Sequence, residues 1–243
     1  MAVEDRYLTL LSSLPAHGPL FGARHTPLSW LRLEQRLKWL EDEDASDIER
    51  LSSLVSWHQQ RFEVEDEELI LAAERSVNEL HNDFARDFAI WRLELRTLVA
   101  ALRRRHAGGK PPTGRRWGFG RWVPLILRNW NDPHFRLERI HPWLPEARRM
   151  LDGGDPRGLE RLLLATVWSH LERLDGEHSF DFEAVVIYVM RWQLIARLIR
   201  EDSPAALDRF DALLDEACAG NGGLLDNAGQ ALASASASSA RAA

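Results

Sequence analysis

Residues 174–200, LDGEHSFDFEAVVIYVMRWQLIARLIR, constrain this chain more than any other segment. A short polar turn runs into a stretch where Phe182, Val185, Val186, Val189, Trp192, Leu194, Ile195, Leu198 and Ile199 recur at spacings of three and four. On an α-helix that spacing makes one broad apolar face. Other helices or a partner must cover such a face. The same design recurs along much of the chain, and no catalytic motif interrupts it. The expected fold is therefore all-α: an elongated multi-helix bundle built for interaction more than for chemistry.

At 243 residues and 45% hydrophobic, the chain is long enough to bury a substantial core. The net charge of -6 is mild but unevenly spread. Residues 1–102 hold nineteen acidic and eleven basic side chains, whereas 103–131 hold eight basic ones and no acid. Those eight are Arg103, Arg104, Arg105, Lys110, Arg115, Arg116, Arg121 and Arg128. A basic waist between acidic lobes steers oppositely charged partners. The single cysteine, Cys218, excludes an internal disulfide framework and fits a reducing compartment. No apolar run reaches the about eighteen residues that a spanning helix needs, so a cytoplasmic protein is expected. Ten tryptophans suit core and interface anchors better than a ligand platform.

Four regions are expected: an N-terminal helical region over 1–105, a basic Gly/Trp-rich connector over 106–122, a C-terminal helical region over 123–219 packed on the first, and a disordered Ala/Ser tail over 220–243. Residues 7–11 read as a short strand or an extended arm. Thr26 as cap with Pro27 at the first helical position opens a helix to Leu40. The acids of 41–44 read as a break, after which Ser46 and Glu49 form a capping box for a helix to about Gln60. Residues 65–105 contain no Gly or Pro and carry helical periodicity throughout. Unbroken, they make about 60 Å of helix, with a kink at His81-Asn82-Asp83 the natural interruption. Further helices are expected near 123–129, 142–151, 156–174 after Asp155, 182–199 after Asp181, and 204–219.

Metal and catalytic patterns are weak. Glu138 and His141 have the E-x-x-H spacing of di-iron bundles, but Pro142 follows and no second copy exists. His170, Glu172, His178 and Glu183 straddle a turn and need not converge. His58 and His81 lack partners at ligand spacing. Cys218 near a helix end reads as a small apolar filler. No catalytic, cofactor or metal residue is expected, and no metalloprotease, nucleophile-elbow or phosphate-loop motif occurs. Gly118-Phe119-Gly120 is too short for a nucleotide loop and suits a tight turn that lets aromatics pack. Arginines interleaved with Trp117, Phe119 and Trp122 could meet an acidic protein surface, stack on nucleic acid or stay solvated. Glu63, Glu65, Asp66, Glu67 and Glu68 stabilise a helix start or dock a basic partner.

Tyr7, Ser13-Leu14-Pro15, residues 131–137, Leu159-Glu160-Arg161, Phe180-x-Phe182-Glu183, Tyr188 and Arg197 together resemble an uncharacterised bacterial family encoded beside V/A-type ATPase genes. The likeness is spread over most of residues 5–217. It implies a helical, non-catalytic protein allied to the socket subunit between rotor shaft and membrane ring, without ATP binding of its own. ATPase stalk or ring subunits are the implied partners, and the inner face of the membrane is the implied place of work. Arg115, Arg116, Trp117, Phe119, Arg121, Trp122, Arg191 and Arg197 are the expected contact or network residues. The alternatives are an assembly factor or regulator of that ATPase, a helical metal-dependent hydrolase using Glu138, His141, His170 or His178, and a nucleic-acid-associated protein working through the connector.

Overall fold

The computed structural model describes residues 3–55, 66–113 and 116–201. Among them the fold is all-α, with no strand. The helices are α1 (Val3–Ser12), α2 (Trp30–Leu37), α3 (Asp42–Val55), α4 (Asp66–Asn78), α5 (Asp83–His106), α6 (Val123–Arg128), α7 (Leu144–Asp152), α8 (Pro156–Asp175) and α9 (Phe182–Glu201). The chain divides between Leu194 and Ile195, and the packing described below lies in the first unit. None of these helices is long and apolar enough to cross a membrane.

The centre of that unit is α5, packed against α3, α4, α6 and α7, while α7 also packs on α8. Ala85, Ala89, Leu98 and Ala101 of α5 are fully buried. Small residues at those spacings let neighbouring backbones approach closely. The N-cap Asn82 accepts from the Ala85 amide at 2.9 Å, and Arg103, Arg104, Arg105 and His106 sit in the last turn. Both ends thereby complement the helix dipole.

Residues 7–11 are helical, not the strand or arm expected from their Tyr/Thr/Leu content. Three contacts at helical spacing explain this. The Arg6 guanidinium reaches Glu41 at 2.6 Å, the Tyr7 hydroxyl donates to Asp44 Oδ2 at 2.5 Å, and Leu10 is fully buried. Burial and Asp44 together push the Tyr7 hydroxyl's pKa above the ordinary phenol range. The acids of 41–44 therefore open α3 and tie α1 to it, so they are not a break, and Ser46 lies inside the helix.

The helix expected from Leu28 begins two residues later, at Trp30. Leu28 is buried, and its carbonyl accepts from the Trp192 indole at 2.8 Å, so a contact from α9 takes the place of helix continuation.

The 65–105 segment is interrupted between α4 and α5, at the expected kink but more completely. Asp47 of α3 is 1% exposed, and it accepts from the His81 amide at 3.0 Å and the Asn82 amide at 2.7 Å. Two amides that would continue the helix are captured by a carboxylate from another helix.

The remaining boundaries follow their caps: Asp155 accepts from Gly158 at 2.8 Å to open α8, and Asp181 from Ala184 at 2.9 Å to open α9. The helix expected at 204–219, Cys218, the Ala/Ser tail, His58, Glu63, Glu65 and Arg115 lie outside the described residues.

Candidate functional site

The Arg/Gly/Trp connector is fastened to α5 through its backbone. Glu94 and Thr97, one turn apart, are two of the few polar side chains buried in the core. Thr97 Oγ1 donates to the Leu93 carbonyl at 3.0 Å and accepts from the Phe119 amide at 2.8 Å. Glu94 Oε1 accepts from the Arg121 amide at 2.9 Å. The two glycines make this approach feasible. A Cβ on Gly118 would stand 2.5 Å from Thr97 Cγ2, and one on Gly120 would stand 2.3 Å from Glu94 Cγ. Gly120 also has φ +90°, where side-chain-bearing residues are strained. The expected tight turn exists, and its anchor is a pair of polar groups that the sequence did not single out.

Much of the basic waist is engaged inside the molecule. Arg116 bonds Glu74 at 3.0 Å and lies 3.8 Å from Glu67. The acidic start of α4 and the basic connector thus answer each other. Arg104 Nε donates to the Lys110 carbonyl at 3.0 Å, and Arg105 spans the Trp130 and Asn131 carbonyls at 2.8 and 3.0 Å. The Arg121 guanidinium lies 4.7 Å over the Trp122 ring and 3.8 Å from Glu94. Trp117, Phe119 and Trp122 are all half-buried. Trp122 packs edge-on against His141 at 5.2 Å. Burial and the Arg121 charge lower the His141 pKa.

Arg191 belongs to a second cluster. It bonds Asp175 of α8 at 2.9 Å and lies 5.3 Å over the Trp168 ring. His17, from the loop after α1, packs 4.1 Å from Tyr188 and edge-on to Trp168 at 6.3 Å. The Tyr188 hydroxyl donates to the Pro15 carbonyl at 2.9 Å, and burial pushes its pKa up to about 12. Arg197 is half-buried beyond Leu194 and is itself engaged.

Burial, followed by the Arg191 charge, holds the His17 pKa down to about 4. His170, stacked on Trp91 at 3.7 Å, is also lowered to about 4, by burial and then by Arg173 and Arg92. Both rings stay neutral in the folded state while the unfolded chain takes up protons below about pH 6.5. The stabilisation is therefore complete above pH 6.5 and is lost as pH falls toward 4. After allowance for partial solvent exposure, it amounts to about 1 kcal/mol for each ring. Urea unfolding at pH 7 and pH 4.5 should show this slope reduced in His17→Phe and His170→Phe; an unchanged slope would contradict it.

The four groups His170, Glu172, His178 and Glu183 do not converge. Glu172 accepts from the Trp168 indole at 2.8 Å. His178, Asp181 and Glu183 do come together, as do Asp132, His134 and Glu138, with ligand-type atoms within 4.8 Å of one another. Structural bonds account for the first group and for Asp132 of the second. Asp181 caps α9 and bonds His178 at 2.8 Å, while Glu183 accepts from the Asn82 side-chain Nδ2 at 2.9 Å. Asp132 Oδ1 accepts from the His134 and Arg136 amides across a turn whose Phe135 and Arg136 have φ 57° and 59°. That turn drives Phe135 into the core. Glu138 and His141 do not share a ligand cluster among the described residues.

Several large apolar side chains stay exposed among the described residues. Trp30 and Leu31 of α2 and Trp39 just after it are 47%, 63% and 47% exposed, Trp30 with one side packed on Trp192 at 5.3 Å. Phe21, in the turn before α2, is 45% exposed with the Arg161 guanidinium 4.3 Å over its ring. Arg24, Arg32 and Lys38 are exposed between them, against Glu34 as the acid on the same helix. Sequence reasoning missed this face, because its residues alternate between core and surface without a distinctive motif. The chain matches no protein-family profile, no curated protein and no solved structure.

Proposed function

We propose that this chain is a non-catalytic helical docking protein, a subunit of or factor associated with a bacterial V/A-type ATPase, acting in the cytoplasm where rotor shaft meets membrane ring. The residue resemblance running from Tyr7 to Arg197 supports the choice of partner. The observation that carries the docking role is the half-exposed aromatic and leucine face at α2. Large aromatics cost free energy in water and are the residues that anchor protein interfaces. Single exposed apolar residues are ordinary, but three within ten residues at α2, two of them tryptophan, call for a cover.

The arginines interspersed there favour an acidic partner surface. This shifts the contact from the connector to α2. Of the connector's described arginines, Arg116 pairs with Glu74 and Arg121 with Glu94, while Arg104 and Arg105 at the end of α5 donate to backbone carbonyls, which also weakens the nucleic-acid alternative. A body of packed helices fastened by buried polar bonds transmits force without yielding, as a mechanical coupling requires.

Affinity purification of the tagged chain from its native host should recover ATPase stalk or ring subunits. Stoichiometric presence in the intact complex identifies a subunit, and transient presence a factor. The double variant Leu31→Glu/Trp39→Glu should melt within about 3 °C of the parent, as exposed substitutions do, yet lose the captured subunits. Recovery of no ATPase subunit, or capture unaltered in the variant, would defeat the proposal.

A further inference from the structure

A cleft of about 680 Å³ opens between α4 and α5, with residues 119–121 of the connector along one side. It shares no residue with the α2 face. Asp87, Trp91 and Glu94 of α5 line it, four and then three residues apart, so they stand on one side of the helix. Carboxylate, indole and carboxylate thus follow one another over about 10 Å of helix. Glu74 of α4 adds a third carboxylate, while Phe119 and Ile90 supply apolar lining. Trp91 is held in place by His170, stacked 3.7 Å away.

This lining selects for charge. Carboxylates spaced along an aromatic and aliphatic wall match a ligand with positive groups spaced along an apolar stem. Ammonium and guanidinium groups gain from both the carboxylates and the ring faces. Two cations of the chain already border the cleft: Arg116, bonded to Glu74 at 3.0 Å, and Arg121, 3.8 Å from Glu94. Arg116 and Glu74 are 41% and 45% exposed, so that pair is solvated and yields at small cost. The Arg121 guanidinium is 75% exposed and can swing out while Glu94 keeps the Arg121 backbone amide. Asp87 is exposed and makes no hydrogen bond or ion pair among the described residues. Glu94 is 4% exposed and presents its carboxylate from the core side.

We infer that this cleft binds an elongated organic cation, an alkyl polyamine or the Lys/Arg side chains of a basic segment. The two sources share one chemistry: at least two positive nitrogens separated by methylene groups.

The test is calorimetric titration of the full-length protein at low salt with spermidine, and separately with a blocked Lys-Ala-Lys peptide. Indole resonances provide the site readout, with that of Trp91 assigned through Trp91→Phe. Saturable binding of one probe to a single site, with a shift of the Trp91 indole signal, is expected. Preference between the probes identifies the source. Asp87→Asn/Glu94→Gln should weaken binding roughly tenfold or more, while the amide oxygen of the new glutamine still accepts from Arg121. Glu138→Gln/Glu177→Gln removes the same charge outside the cleft and should leave affinity within about twofold, since distant exposed charges are screened. Absence of saturable binding by both probes would overturn the inference. So would equal weakening in the two double variants, which would mean diffuse attraction to an acidic protein.

Discussion

Asp47→Ala should lower the unfolding free energy by about 3 kcal/mol, because it removes a buried carboxylate that accepts from two backbone amides, and hydrogen bonds to a charged group are the strong ones. Asp47 sits on α3 at 1% exposure and accepts from the amides of both His81 and Asn82 and from the His81 ring nitrogen at 3.1 Å. These bonds end the chain's helical run after α4 and set the angle at which α5 starts. Asn82 then caps α5 and donates to Glu183 at the head of α9. One carboxylate therefore organises the meeting point of four helices. For a chain of this size the loss corresponds to about 6–12 °C in melting temperature. Asp47→Asn keeps one acceptor oxygen and should fall between the two. Hydrogen exchange at the His81 and Asn82 amides should accelerate in the alanine variant more than elsewhere. A melting shift under about 2 °C would show that the carboxylate is dispensable.

Gly120→Ala should cost at least as much, about 3 kcal/mol or more, since an unfavourable backbone geometry and a buried clash combine. The added methyl would stand 2.3 Å from Glu94 Cγ and 2.6 Å from Glu94 Oε1 at φ +90°. Relief requires pushing Glu94 off the Arg121 amide, which leaves a carboxylate in the core without its partner. Gly108→Ala provides the control: φ there is +73°, but nothing lies within 4 Å of the new methyl. It should cost only the conformational share, about 1 kcal/mol. Urea unfolding of the two variants separates the clash from the backbone strain. Equal losses would mean that the connector is not pressed against α5.

Helix periodicity made the all-α class legible, since apolar residues at three- and four-residue spacing demand a covered helical face. Local caps marked the starts of α8 and α9 as well: Asp155 followed by Pro156, and Asp181 three residues before Ala184. Each of these signals acts within a few residues along the chain. The failures share one cause. Residues 7–11 are helical because Asp44 and Glu41 hold Tyr7 and Arg6; α2 begins late because Trp192 claims the Leu28 carbonyl.

The connector presents the same contrast. Its two glycines announced a tight turn, yet Glu94 and Thr97 look like ordinary surface positions of a long helix. Their role as anchors appears only when the connector's amides are set against them. Arg116 likewise reads as charge offered to a partner until Glu74 stands beside it.

By itself, the sequence determined that this chain is helical, where several of its helices begin, and that its core is aliphatic and aromatic, because propensity, capping and burial periodicity are local properties. Only the tertiary structure decided that the helix breaks outright between α4 and α5, which charges are spent internally, and which aromatics remain uncovered. Those outcomes depend on hydrogen bonds and contacts between residues far apart in the chain, and no local pattern encodes which distant group will arrive.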